Sequence, residues 1–416
     1  MALRGWSWDA VVGPAGLGDR PLLEALEAAI PDEAVEAAIE ATGTRERRRR
    51  ALPTHLVVTL VVAMGLWAAE SMRHALAEVV AGWREGAAGE RVAWRLPSTA
   101  ALVQARQRAG ARLLRELFGA VAGPIAVAET AGAFLGGLRL MAVDGTTLEV
   151  ADTPENTRAF GRPTTQRGDK GGAFPQIRAV ALIETGTHAL CDVVLRPFRC
   201  GEAPAALRLL RSVGPGLLLL WDRGFHSYAM VRATLAREAH FLGRTKGNVV
   251  LKPTEVLADG SFLACIYPTP KARRRGQGGI ELRVVEYALD TPAGPGRERY
   301  RLLTSLLDER AFPAEQLAAT YHERWEVETA LDEVKVHQWA HPRPLRSKHP
   351  REVVQEAYGL LLAHLAIRTL MHQAALREGI DPDRLSFTGA LRVLRRAISR
   401  AQRTPPARFP LFAPAC

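Results

Sequence analysis

Through the first third of the chain, apolar residues recur at helical spacing. Leu22–Ile30 and Asp32–Ala41 both carry the i, i+3, i+4 pattern, with Pro31 marking the start of the second helix. The apolar run Leu56–Trp67 (LVVTLVVAMGLW) predicts a buried core helix. Ser71–Ala81 follows, and Pro97-Ser98 then opens STAALVQARQRAGARLLRELFGAV, with Ser98 or Thr99 as the cap. From about residue 137 the period changes to that of strands. LRLMAVDGT (138–146) runs into a turn. QIRAVALIE (176–184) and HALCDVVLRPF (188–198) are joined by the tight turn Thr185-Gly186-Thr187. EAPAALRLLRSV (202–213) is helical, and GLLLLWDRGF (216–225) is apolar throughout, as a strand buried on both faces should be. SYAMVRATLAREA (227–239) is helical and HFLGRTK (240–246) is a short strand.

The pattern therefore predicts an α/β protein. Residues 1–130 form a helical N-terminal domain, and 131–246 the first part of a β-β-β-α-β-α-β core. Gly, Pro and short β-like runs mark 247–314 as a mainly β insertion around the basic loop KARRRGQGG. Residues 315–375 return to the core, and 376–416 form a helical, then Pro-rich tail.

Charge narrows the class. Against 44 Asp and Glu stand 55 Lys and Arg, giving a net charge of +11 and a pI near 10.0, which favours a polyanionic partner. The basic residues cluster. RERRRR (45–50) includes Arg47, Arg48, Arg49 and Arg50. Arg106 and Arg108 lie on the helix after Ser98, and Arg273, Arg274 and Arg275 in the insertion loop. All are predicted DNA-backbone contacts, the plain alternative being a solubilising surface. A membrane partner is disfavoured, because Leu56–Trp67 falls short of the about 20 residues a spanning helix needs. MALRGWSWDAVVG lacks a signal-peptide apolar region. Cys191, Cys200, Cys265 and Cys416 show no CxxC spacing, so a reduced, cytoplasmic protein is expected.

Candidate chemistry lies in carboxylates. Asp144 closes LRLMAVD and Asp222 closes LLLLWD, each followed by a glycine-bearing turn. Asp before Gly is common turn chemistry. Strand-end carboxylates near the middle of an open sheet can nonetheless converge, and hard oxygen ligands suit Mg²⁺. Two Mg²⁺ held about 3.5–4 Å apart can serve phosphodiester chemistry. Further along, in YHERWEVETALDEVK (321–335), Tyr321, Arg324, Glu328 and Lys335 fall within about 60° of helix face over roughly 21 Å. Asp332 lies near the same face, so helix geometry leaves open which carboxylate matters.

At these residues the chain resembles DDE transposases, whose catalytic core is an RNase H-like mixed sheet flanked by helices. Tyr321, Arg324, Glu328 and Lys335 match the Tyr-x2-Arg-x3-Glu-x6-Lys signature of the insertion-element-four type. DGT (144–146) and DRGF (222–225) resemble the motifs around that family's aspartates. The stretch from about Leu22 to Ala120, with IEATGTRERRRRALP and ALVQARQRAG, resembles its N-terminal domain. The resemblance implies Asp144, Asp222 and Glu328 as ligands of two Mg²⁺ ions, with Mn²⁺ an accepted substitute. It also implies that Arg324 and Lys335 hold DNA phosphates, with Tyr321 contacting the same region. The implied partners are double-stranded DNA, at element ends and target, and a second copy of the chain in a homodimer pairing two ends. Relatives stack a flipped base on a tryptophan of the insertion. Here no Trp stands between Arg223 and Arg324, and Tyr267, Tyr287 and Tyr300 are the aromatics that could substitute. The rivals are an RNase H-like Mg²⁺ nuclease, a domesticated relative that only binds DNA, and a repressor with no chemistry.

Overall fold

The computed structural model describes residues 19–48, 50–81, 83–85, 90–91, 95–163, 174–247, 249–290, 297–339 and 343–400. It opens with helices α1 (Asp19–Ala29), α2 (Asp32–Thr42), α3 (Thr54–Leu66) and α4 (Met72–Ala81). A two-stranded ribbon, β1 (Arg84–Glu85) and β2 (Glu90–Arg91), precedes α5 (Thr99–Val121). Ser98 caps α5 by accepting from the Ala101 N–H at 3.3 Å. The apolar run of α3 is buried nearly all round.

A single large sheet follows. Its strands are β3 (Phe134–Leu135), β4 (Leu138–Glu149), β5 (Gln176–Glu184), β6 (Leu190–Pro197), β7 (Leu217–Trp221) and β8 (His240–Arg244). Helix α6 (Pro154–Phe160) follows β4, α7 (Glu202–Leu209) follows β6 and α8 (Tyr228–Leu235) follows β7. The order β6-β5-β4-β7-β8, antiparallel up to β4 and parallel from β4 to β8, is the RNase H-like arrangement. The insertion adds β9 (Pro253–Val256), β10 (Phe262–Ile266), the short helix α9 (Pro270–Arg274), β11 (Ile280–Asp290) and β12 (Arg297–Thr304). These strands do not form a separate sheet. β12 pairs antiparallel with β8, so the insertion lengthens the core sheet to ten strands.

Helices α10 (Ala314–His322) and α11 (Trp325–Asp332) come next, then a π-wound turn over Glu333–Gln338, and finally α12 (Pro350–Glu378) and α13 (Phe387–Arg400). A division at residue 375 would cut α12 just before its end. Two cores flank the sheet. On one face Leu140, Ala142, Leu218 and Leu220 join α11, α12 and the N-terminal helices. On the other Met141, Val143, Leu219 and Trp221 meet α7 and α8. Strand alternation dictates this division, since successive side chains point to opposite faces. Helix α12 crosses α3 at Gly65 and Gly359. A Cβ on Gly65 would lie 2.8 Å from the Gly359 carbonyl oxygen, so this close crossing requires glycine.

Candidate active site

The same alternation aims the two aspartates. Asp144 follows Val143 on β4 and Asp222 follows Trp221 at the end of β7, so both point to the α11 face. Parallel pairing sets Val143 opposite Trp221, which makes Asp144 and Asp222 the next positions on neighbouring strands, roughly 4.8 Å apart in the pairing direction. β7 ends here while β4 continues, so the sheet opens at the carboxylates. Asp222 Oδ1 accepts from the Gly224 N–H at 2.6 Å in the turn that ends β7. The expected turn after Asp144 is corrected: β4 runs on through Gly145 to Glu149, paired with β5, and Asp144 Oδ1 accepts from the Gly145 N–H at 2.7 Å within the strand.

Arg324 ties α11 to this point. Its Nη2 lies 3.0 Å from Glu328 Oε1 and its Nη1 3.8 Å from Asp144 Oδ2. Arg324 is 8% exposed, and its buried Nε has no hydrogen-bond partner among the described residues. Burial pushes the Asp144 carboxyl up to about 6; the Gly145 N–H and Arg324 oppose the rise, and Asp222 and Glu328 add to it. Asp144 thus keeps a charge cost that one arginine does not cancel. A divalent cation would cancel it. The carboxylates of Asp144, Asp222 and Glu328 are hard donors of the kind such an ion takes, but with Arg324 standing between Asp144 and Glu328 their oxygens do not all lie within 4.8 Å of one another.

The helix carrying the four-residue signature is not uniform. Between α10 and α11 the N–H groups of Glu323, Arg324, Glu326 and Val327 bond to carbonyls three residues back, a tightened turn. After Asp332 the chain is π-wound. The even 100° step therefore fails at both ends of the predicted stripe. Tyr321 is 2% exposed, its ring edge-on to Tyr300 at 6.5 Å, and burial pushes its hydroxyl up to about 12. It lies behind Arg324, with the guanidinium 5.8 Å from its ring. Lys335 sits half-exposed in the π-wound turn, and Asp332 is exposed. Tyr287 and Tyr300 stack on each other with centroids 5.1 Å apart, and Tyr300 is buried. Trp325, the residue after Arg324, is 51% exposed, with the guanidinium 5.9 Å from its ring. The Arg-Trp pair that opens α11 was the signal for it.

The basic clusters separate. Arg47, Arg48, Arg50, Arg108, Arg274 and Arg275 are exposed and Arg273 half-exposed, while Arg49 lies outside the described residues. Arg50 faces Arg108 closely enough to help depress it, after burial. Arg106 corrects the expectation of a DNA contact. It is 1% exposed and donates to Gln355 Oε1 at 2.8 Å, Ser347 Oγ at 3.0 Å and the Glu352 carbonyl at 3.0 Å. Positions two apart on a helix face opposite ways, so Arg106 and Arg108 could not both face out. Arg106→Ala is expected to cost about 2–3 kcal/mol of stability through lost charge-assisted bonds, with the salt dependence of DNA binding unchanged. Thermal melting beside a salt titration checks both, and an unchanged melting point would remove the structural role.

The core is thus an RNase H-like sheet with Asp144 and Asp222 on neighbouring strands where it opens. Residues 135–366 match the family described as Transposase DDE domain, and residues 20–119 match Insertion element 4 transposase N-terminal. Transposase InsG for insertion sequence element IS4 of Escherichia coli K12 is 30% identical over 382 residues, covering 91% of this chain and 83% of that protein. A putative transposase InsZ of the same organism is 29% identical over 198 residues, 48% of this chain and 62% of its own. A cryo-EM structure of the piggyBac transposase synaptic complex with hairpin DNA overlays with a TM-score of 0.47 at 12% identity, covering 91% of this chain and 80% of that one. The chain belongs to the DDE transposase family and carries the insertion-element-four N-terminal region. It is a DNA transposase, and its family implies use of a divalent metal. Among the described residues no helix is long and apolar enough to cross a membrane.

Proposed function

We propose that this transposase binds the terminal inverted repeats of its element as a dimer, cleaves the ends and joins the freed 3′-OH groups to target DNA, with Asp144, Asp222 and Glu328 holding two Mg²⁺ ions. The observation that carries this reading is Arg324, set between Asp144 and Glu328 with a buried, unpartnered Nε–H. Such a donor calls for an acceptor, and a phosphate oxygen of the scissile strand supplies one. When bound, the two metal ions would activate the attacking oxygen and stabilise the leaving one. Arg324 keeps the carboxylates together and orients the phosphate. Lys335 adds a point-charge contact further along the strand. Tyr321 backs the guanidinium, and Trp325 offers an open aromatic face to an unpaired base.

The test is cleavage of duplex carrying the element's inverted repeat, in Mg²⁺, against a scrambled duplex. The expected result is a cut at the repeat boundary followed by joining to target DNA. Cutting of both duplexes alike would favour a nuclease, and binding without any cutting a DNA-binding relative.

The exposed arginines supply affinity in this reading. Neutralising Arg47, Arg48 and Arg50, or Arg274 and Arg275, should weaken binding to all sequences. The slope of log K against log salt should flatten by about 0.9 per lost phosphate contact. If both sets are removed and the slope stays, they are solubilising surface.

A further inference from the structure

The back of the catalytic helix carries a buried polar cluster that the transposition chemistry leaves unassigned. Glu326 and Glu328 stand two residues apart, about 200° around the helix, so Glu326 faces away from the strand ends. Its Oε2 lies 3.0 Å from His188 Nε2, and Asp383 Oδ1 lies 3.3 Å from the same nitrogen. His188 forms the apex of the β5–β6 hairpin, 1% exposed and in the left-handed region at φ 56°. Arg368 of α12 donates through Nε to Glu333 Oε2 at 2.8 Å, and through Nη2 to Glu333 and to His188 Nδ1. His364 lies 3.2 Å from the same Glu333 oxygen.

His188, Glu326 and Asp383 bring ligand atoms within 4.8 Å of one another, the spacing of a metal site. The hydrogen bonds favour a different reading. A guanidinium can only donate, so His188 Nδ1 accepts from Arg368 and the ring proton sits on Nε2. That nitrogen then donates to Glu326 and has no lone pair for a metal. The chain of bonds runs from α12 through His188 to the catalytic helix, and from α12 through Glu333 to the π-wound turn.

We propose that His188, Arg368 and Glu333 are positioning residues that fix the rotation at which Glu328 and Lys335 face DNA. The proposal rests on the reading of Glu328 as a metal ligand. The catalytic helix needs such a device, because it is tightened around Arg324 and π-wound after Asp332, so its own ladder does not set its rotation. Both anchored residues flank the working ones: Glu326 lies two before Glu328, and Glu333 two before Lys335. Burial raises the Glu333 carboxyl, and it remains pinned by two donors from one guanidinium.

The test is His188→Gly, which removes the imidazole and suits a left-handed backbone, with Asp383→Asn as a milder second variant. Binding of end DNA and Mn²⁺ is measured (the latter by electron paramagnetic resonance), alongside hydrogen exchange over residues 325–338 and cleavage at limiting and high Mg²⁺. End-DNA affinity should stay near wild type. Mn²⁺ affinity and cleavage at limiting Mg²⁺ should each fall at least about tenfold, the scale of lost outer-shell support. Cleavage should recover in part at high Mg²⁺, and exchange should quicken. Faster exchange with unchanged Mn²⁺ affinity and rate in both variants would overturn the proposal, leaving only a stabilising role. One equivalent of zinc in the wild type, lost from His188→Gly, would overturn it in favour of a metal site. Glu328→Ala run in parallel separates the two readings: if it keeps full Mn²⁺ affinity, the ligand assignment has failed on its own.

Discussion

Alanine at Asp144, Asp222 or Glu328 is expected to abolish cleavage of element-end DNA while binding persists. The two effects part because binding rests on phosphate contacts spread over the basic surface, whereas cleavage needs every oxygen of the metal site. Asp144 and Asp222 stand on neighbouring parallel strands one position past the Val143–Trp221 pair. Glu328 and Asp332 are both exposed, but Glu328 is joined to Asp144 through Arg324, and Asp332 lies one helical turn further on. Asp332→Ala should accordingly be mild. Gel-shift and cleavage assays on the four variants check this. Loss of cleavage in Asp332→Ala with activity kept in Glu328→Ala would move the third ligand.

Which parts were legible follows from how local their cause is. Asp222 could be read because a strand end followed by a glycine turn is written in five or six consecutive residues, whereas the glycine after Asp144 marks no turn, since pairing with β5 carries β4 on to Glu149. The convergence of the two aspartates needed only strand alternation and a parallel pair. Lys335 was harder, because its direction depends on winding that changes at Glu323 and again at Glu333, and a constant angular step carries no information about either. Arg106 was misplaced because a basic run invites one reading for all its members. Its burial is decided by Gln355, Ser347 and Glu352, some 240 residues away. Helix α6, of 7 residues, and strand β9, of 4, are too short to show a period. His188 gave no signal at all: a lone histidine beyond a Thr-Gly-Thr turn becomes a keystone only when α12 brings Arg368 against it. The insertion's β character was local, but its joining to β8 was not, since that pairing spans the region between Leu242 and Thr304.

Arg324→Ala is expected to slow single-turnover cleavage about 100-fold at saturating enzyme and Mg²⁺, as misplacement by about 1 Å can do. Arg324→Lys should also fall well short of wild type, because an ammonium cannot reproduce the planar fork that meets Glu328 and Asp144 while presenting Nε–H to a phosphate. Lys335→Ala, which loses a point contact on a half-exposed side chain, should cost about tenfold, a barrier rise of about 1.4 kcal/mol. The competing account treats Arg324 as an ordinary i, i+4 partner of Glu328, worth a few tenths of a kcal/mol. That account predicts near wild-type rates for Arg324→Lys, which keeps the charge and the pairing. The measurement is decisive against the clamp in one direction: the buried Nε has no partner among the described residues, so a phosphate bound there during cleavage requires Arg324→Lys to lose rate. Equal rates for wild type and Arg324→Lys would remove the phosphate clamp while leaving the carboxylates untouched.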